Sequence, residues 1–167
     1  MIRGAGKLKG GKFERLVCKQ LSAWVTGGQR KDVFWRSAMS GGRATVHGSS
    51  VRQAGDVTAV APEGHALTDK YMVECKHERD LQFDRFTVQH RGPLMRYWLK
   101  LNQQCHVHDR LPMLVARQNG WPVLVLLTGN NVPHAFYPRC FVRADSGSIA
   151  VIDFAAMLKT KFKHWML

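Results

Sequence analysis

The chain is poor in acidic residues, has no long apolar run and contains no paired cysteines, and each shortage excludes a class of protein. Among its 167 residues, 12 are Asp or Glu against 25 Lys or Arg, which gives a formal net charge of +13. A balance this basic favours a nucleic acid or an anionic membrane as the partner. No apolar run reaches the ~18 residues of a membrane span, so we expect no membrane association. The N-terminus lacks the apolar segment of a secretory signal peptide, so a cytoplasmic location is expected.

The cysteines are too widely spaced to suggest a structural role for sulfur. They lie at positions 18, 75, 105 and 140, and no two form a C-x-x-C pair. A disulfide framework is therefore not expected. The segment C-H-V-H (105–108) lacks the spacing of a zinc finger, so zinc is not expected either.

Hydrophobic periodicity and turn residues predict one α/β domain, residues 1–167, with a mixed central sheet flanked by helices. Leu94, Trp98 and Leu101 repeat at helical spacing behind Pro93, a residue that suits a first helical turn. The predicted order is helix 10–25, strands 31–36, 56–60 and 70–76, helix 93–107, strands 111–117, 121–128, 134–142 and 148–153, then a short helix or coil.

Asp56, Glu74 and Lys76 form the pattern that carries most information about function. Asp56 opens the run G-D-V-T-A-V, and the other two residues lie near the end of Y-M-V-E-C-K-H. Because side chains alternate along a strand, Glu74 and Lys76 share one face and Cys75 points to the other. Proline and glycine separate the two runs, so the simplest prediction for 56–76 is a hairpin that brings Asp56 next to Glu74.

Asp56 and Glu74 are a candidate metal site. Two neighbouring carboxylates repel each other unless a cation lies between them. Oxygen ligands without thiolate or imidazole select a hard ion, so Mg²⁺ is the expected cofactor, with Mn²⁺ as a substitute. Such an ion activates water and draws charge from a phosphate, and Lys76 would stabilise the transition state, which indicates cleavage of phosphodiester bonds. The alternative is that Glu74 and Lys76 form a solvated surface pair worth under ~1 kcal/mol.

Glu14 is the only acidic residue among the first 31, which include eight Lys or Arg. It lies at the edge of an apolar stripe with helical spacing. The stripe consists of Leu16, Val17, Leu21 and Trp24. We therefore predict that Glu14 faces inward and adds a third carboxylate to the metal site. The alternative is a surface residue favoured by the dipole near a helix start.

The segment 37–54 is predicted to be a loop rich in glycine and serine. Loops of this length in compact domains are usually functional or disordered. We expect it to order on DNA with Arg43 on a phosphate; a flexible solvated loop is the alternative. Phe34 and Trp35 precede Arg36, where stacking on an unpaired base is conceivable. Strand alternation places at least one of the two in the core, and we expect both to contribute to packing.

Five segments resemble a known family, and they occur in the family's order. They are K-G-G-K-F-E-R-L-V (9–17), F-W-R-S-A-M-S (34–40), G-D-V-T-A-V (55–60), M-V-E-C-K (72–76) and D-R-L-P-M-L-V-A-R (109–117). Together they resemble the PD-(D/E)xK nuclease superfamily, and most closely the archaeal-type Holliday junction resolvases. The resemblance covers residues 9–127 and leaves 128–167 as a C-terminal extension.

The resemblance implies a restriction-endonuclease-like fold and specific site residues. The implied metal ligands are the carboxylates of Glu14, Asp56 and Glu74 and the backbone carbonyl of Cys75. The implied phosphate-facing surface consists of Arg15, Arg36, Ser37 and Ser40. Lys76 would be the catalytic lysine. The family also implies a homodimer that cuts two opposed strands of a four-way DNA junction.

Two departures from the family concern substrate choice more than metal chemistry. Gly55 stands where the family often has proline, and a longer stretch separates Ser40 from Asp56 than in compact members. The leading prediction is a structure-selective DNA endonuclease that resolves Holliday junctions. The alternatives are another PD-(D/E)xK nuclease of repair, restriction or recombination, acting on duplex or single-stranded DNA, and a DNA-binding module that does not cut. The small basic chain fits a phage gene as well as a cellular one.

Overall fold

The computed structural model describes residues 5–37, 54–134, 136–145 and 147–166, and the elements below lie in these ranges. The helices are α1 (Ala5–Val25), α2 (His65–Lys70), α3 (Phe83–Gln89), α4 (Pro93–Val107) and α5 (Phe154–Leu158). The strands are β1 (Phe34–Arg36), β2 (Val57–Ala59), β3 (Tyr71–Glu78), β4 (Leu111–Gln118), β5 (Leu124–Thr128), β6 (Cys140–Ala144) and β7 (Gly147–Asp153). Short 3₁₀ segments lie at Pro62–Gly64, Gly129–Asn131 and Phe162–Trp165.

Five strands form one mixed sheet in the order β3-β4-β5-β7-β6. β3 and β4 are parallel, because α3 and α4 lie between them in the chain and form the crossover; the other pairs are antiparallel. β1 and β2 form a separate antiparallel pair. β3, which carries Glu74 and Lys76, is therefore an edge strand of the larger sheet.

Alternation along the strands divides the core into two layers. Val73 and Val115 pack on one face in the cluster that includes residues of α1 and α5. Leu114 and Leu126 pack on the other face with residues of α3 and α4. The prediction for α4 is confirmed at both ends, and its apolar stripe is buried because it covers the second face. The sheet with helices on both faces agrees with the predicted α/β class.

α1 packs against β1 and β3, and its buried side differs from the predicted one at one residue. Val17, Leu21 and Trp24 are buried as expected, together with Phe13. Leu16 is 41 % exposed, so its assignment to the apolar stripe was wrong. The cause is geometric, since Phe13, Val17 and Leu21 recur at i, i+4 and i+8 and define a stripe that Leu16 flanks.

The predicted hairpin of 56–76 was also wrong. β2 pairs with β1, and α2 with the 3₁₀ segment before it replaces the expected turn between β2 and β3. The helix in this connection packs against the core through Leu67, which is fully buried. Gly64 is required there, since a Cβ atom on it would lie 2.6 Å from the ring of Phe34. Asp56 reaches β3 instead through a backbone hydrogen bond to Val73.

The C-terminal segment completes the core next to α1. β7 inserts between β5 and β6, although the sequence resemblance ends near residue 127. The indole N–H of Trp24 donates to the carbonyl of Thr160 at 2.8 Å, and the ring of Trp165 packs edge-on against Trp24. Trp165 is almost fully buried and covers the core beside α1. No helix within the described ranges has the length and apolarity that a membrane crossing requires.

Candidate active site

Asp56 joins the small strand pair to the edge of the large sheet. Its N–H donates to the carbonyl of Val73 in β3 at 2.8 Å, and its own carbonyl accepts from the N–H of Ser37 at 2.9 Å. One carboxylate oxygen, Oδ2, accepts from the N–H of Cys75 at 2.9 Å. The side chain, although ionisable, is only 6 % exposed. These bonds hold the Asp56 carboxylate at the outer edge of β3, beside the residues that flank Cys75.

Gly55 makes this attachment possible. Its φ is +94°, in the left-handed region that side chains disfavour, and a Cβ atom on it would lie 2.8 Å from the carbonyl oxygen of Val73. The chain can therefore approach β3 closely only with glycine at this position. Proline, which the family often has here, fixes φ near −65° and does not fit this backbone.

Glu74 and Lys76 lie side by side on one face of β3, as strand alternation predicts. The ammonium of Lys76 donates to Oε1 of Glu74 at 2.5 Å, and both side chains are about one-quarter exposed. Burial lowers the pKa of Lys76, but the charges of Glu74 and Asp56 outweigh it, so its pKa lies above the ordinary value. Lys76 is therefore a cation held against the acids and is not poised to act as a base.

Glu14 approaches from α1, where its carboxylate forms an ion pair with Nε of Arg36 in β1. The charges of Glu14, Asp56 and Glu74 all act on the thiol of Cys75. Burial raises the pKa of the Cys75 thiol well above its ordinary value, and the nearby charges of Asp56, Glu74 and Glu14 raise it further. The charges of all three predicted acids thus reach Cys75, although the acids come from α1, from the residue before β2 and from β3.

The negative charge of Asp56 is not fully balanced by the positive charges and N–H donors around it. Burial raises its pKa to about 7, and the charge of Glu74 adds to this shift. The N–H of Cys75 and the ammonium of Lys76 act in the opposite direction but are too weak to restore the ordinary value. An additional positive charge at this position would therefore be stabilised by the protein.

A hard divalent cation fits the donors that this site offers. Asp56 and Glu74 supply carboxylate oxygens, the ligand type that Mg²⁺ and Mn²⁺ prefer. Within the described ranges, no three His, Cys, Asp or Glu side chains form a cluster that could hold a metal ion. Asp56 and Glu74 are thus the acids expected to hold such a cation, and Glu14 forms an ion pair with Arg36. Metal ligation by Asp56, Glu74, Glu14 and the carbonyl of Cys75 stays a prediction.

The residues predicted to bind DNA are only partly within the described ranges. Arg15 is exposed, and Ser37 is buried next to Asp56. The guanidinium groups of Arg15 and Arg36 converge over Gly11, since a Cβ atom there would lie 3.7 Å from one and 3.8 Å from the other. The predictions for Ser40 and Arg43, and for most of the 37–54 loop, fall outside the described residues.

Tyr97 is a site residue that the sequence analysis missed. Its ring lies 5.4 Å from the ammonium of Lys76, close enough for a cation–π interaction. Glu74, Lys76, Tyr97 and Lys100 line a small cavity of about 100 Å³ between β3 and α4. The sequence pointed to Tyr97 only through its position one turn before Leu101, which is buried. The parallel crossover through α4 brings its ring to Lys76.

An acid attached to the edge strand of a mixed sheet, beside an E-x-K pair on that strand, is the arrangement of a PD-(D/E)xK nuclease. The chain belongs to the family described as "Phage putative PDDEXK endonuclease", whose model matches residues 5–162. No curated protein and no solved structure matches the chain. The family confirms the predicted superfamily and the restriction-endonuclease-like fold, and with them a nuclease. The matched region extends well beyond residue 127 and includes β6 and β7.

Proposed function

We propose that this protein is a Mg²⁺-dependent DNA endonuclease whose active site is built around Asp56, Glu74 and Lys76. The observation that carries the proposal is the bond from the N–H of Cys75 to the Asp56 carboxylate, because it fixes one acid beside the residues that flank Cys75. The raised pKa of Asp56 supports a cation between the acids. The net charge of +13 supports a polyanionic substrate.

Each residue has a role that follows from its position. Asp56 and Glu74 would hold the metal, which supplies an activated water and neutralises charge on the scissile phosphate when it is bound. Lys76 would stabilise negative charge in the transition state, since it is an ammonium and lies within hydrogen-bond distance of Glu74. Arg36 would bind a phosphate and, through its ion pair, keep Glu14 at the site.

The proposed substrate is branched DNA, with the four-way junction as the leading case and a homodimer as the cutting unit. The support is the resemblance of five ordered segments to junction resolvases. A dimer with two-fold symmetry would place two active sites at a fixed separation, which suits paired cuts in opposed strands. A second candidate is cleavage of ordinary duplex DNA, which is favoured by a family description that states endonuclease without a junction.

The test compares the wild type with Glu74→Gln on a labelled four-way junction, a flap, a linear duplex and a single strand. We expect Mg²⁺-dependent nicks from the wild type, paired across the junction, and none from Glu74→Gln, which keeps its DNA binding. Glu63→Gln is the matched control, because Glu63 is an exposed acid that pairs with Arg30 at the surface. Faster cutting of the duplex than of the junction would replace the leading substrate with the second candidate. Equal cutting by the wild type and Glu74→Gln would refute the site.

A further inference from the structure

Trp35 is a large aromatic side chain that the fold leaves in solvent. It is 64 % exposed, whereas its neighbour Phe34 is 2 % exposed. The two point to opposite sides of β1 because strand side chains alternate, and the side that Phe34 occupies is the core. The expectation that both residues contribute to packing was therefore wrong for Trp35. Because most of its surface is exposed, the Trp35 ring is accessible to a binding partner.

The surroundings of Trp35 combine an apolar surface with positive charge. Trp35 lines a groove of about 380 Å³ between α1 and β1, next to the buried Phe34 and Cys18. Four cations also line this groove, namely Arg15, Lys19, Lys31 and Arg36. The acid among the described lining residues, Asp32, forms an ion pair with Arg30 at 2.9 Å. The groove thus presents an aromatic ring within a net positive field.

The groove adjoins the proposed active site. Arg36 follows Trp35 directly in β1 and pairs with Glu14. Arg36 and Arg15 belong to both the groove and the group of cations over Gly11. Because Arg15, Arg36 and Trp35 line the same groove, a DNA strand with a phosphate on these arginines could follow the groove and place an adjacent base on the ring of Trp35.

We propose that Trp35 is a stacking platform for an unpaired base of the DNA strand next to the phosphate that Arg15 and Arg36 bind. The inference rests on the proposed function only in taking DNA as the substrate. Aromatic rings bind bases through their faces, and cations along the same groove follow the backbone. In a paired duplex the base faces are covered by their neighbours, so a ring at this position favours substrates with an unpaired or unstacked base. The substrate class is therefore DNA that is distorted, looped or branched near the cut.

The experiment measures binding in the Glu74→Gln background, where no cleavage is expected. The probes are a duplex with one unpaired 2-aminopurine, the same duplex with an abasic site at that position, and the fully paired duplex. Trp35→Ala, Trp35→Phe and Trp35→Leu are compared with Tyr137→Ala, a control that removes an aromatic residue with 90 % exposure. Circular dichroism melting checks that each variant is folded.

We expect Trp35→Ala to weaken binding of the unpaired probe by about tenfold or more, as for loss of one base-stacking residue. Binding of the abasic and fully paired probes should change by less than about twofold. The 2-aminopurine emission, which stacking quenches, should fall on binding for Trp35 and Trp35→Phe but not for Trp35→Leu or Trp35→Ala. Tyr137→Ala should behave like its parent.

An equal loss on all three probes, or no loss on any, would overturn the inference, because neither pattern depends on a base. The proposed function is judged separately, by metal-dependent cutting with intact Glu74. Stacking without cutting would retain Trp35 as a base-binding residue and refute the nuclease. Cutting without stacking would retain the nuclease and refute the role of Trp35.

Discussion

Replacing Asp56 with asparagine should make the metal-free protein more stable while it abolishes cleavage. The carboxylate is buried, and burial together with the charge of Glu74 raises its pKa to about 7. Asn keeps an oxygen that can accept from the N–H of Cys75 but carries no charge. The charge that is proposed to bind the cation is thus also a source of instability when no cation is present.

The magnitude follows from the linkage between protons and folding. The difference between the folded-state pKa of about 7 and the ordinary aspartate pKa of 3.8 corresponds to roughly 4 kcal/mol. Because folded Asp56 keeps a proton that the unfolded chain releases, its contribution to stability falls as the pH rises from about 4 to about 7 and is constant above that window. Asp56→Asn removes this loss, so we expect a gain of up to about 4 kcal/mol at pH 8 and almost none at pH 4.

Urea unfolding of metal-free wild type and Asp56→Asn at pH 4, 6 and 8 measures this difference directly. Carboxylates that do not interact with Asp56 titrate equally in both proteins and cancel. Asp145→Asn is the control, because Asp145 is exposed in the turn between β6 and β7. Added Mg²⁺ should stabilise the wild type at pH 8 and leave Asp56→Asn unchanged, since only a ligand that binds the native state shifts the equilibrium. A variant that is less stable than the wild type at pH 8 would show that the electrostatic reasoning is wrong.

The remaining predictions concern backbone contacts near the site. Gly55→Ala should destabilise the protein by more than Gly120→Ala and abolish cutting. Both glycines have positive φ, but of the two only Gly55 lies against the Val73 carbonyl. Similar urea midpoints for the two variants would contradict the proposed clash. Ser22→Ala should cost about 1–3 kcal/mol in urea unfolding, because the Ser22 hydroxyl accepts from the buried N–H of Phe34 at 2.9 Å and donates to the Cys18 carbonyl at 2.7 Å. A neutral result for Ser22→Ala would mean that water satisfies these groups after substitution.

Much of the fold and part of the site could be predicted from local patterns. The placement of Glu74 and Lys76 on one face of β3 required only the two-residue repeat of a strand. Helix α4 required only the spacing of its apolar residues and Pro93 at its start. The basic character of the surface required only a count of charges.

Contacts between distant segments were harder to predict. The hairpin prediction brought Asp56 to Glu74 for the wrong reason, because it assumed that neighbouring strands in the chain also pair in space. In the structure, two backbone hydrogen bonds fix Asp56 between β1 and β3. The exposure of Leu16 and Trp35 and the approach of Tyr97 to Lys76 also depend on which neighbours cover each face.

The sequence by itself determined the chemistry that is present: paired acids, a lysine two residues on, and an excess of positive charge. It also determined which side chains share a face within one strand or helix, because backbone geometry repeats locally. Only the tertiary structure decided that the Asp56 carboxylate is bonded to the N–H of Cys75, that Arg36 pairs with Glu14, and that Trp35 lies in a basic groove. These outcomes depend on packing and hydrogen bonds between segments far apart in the chain, and no local repeat specifies them.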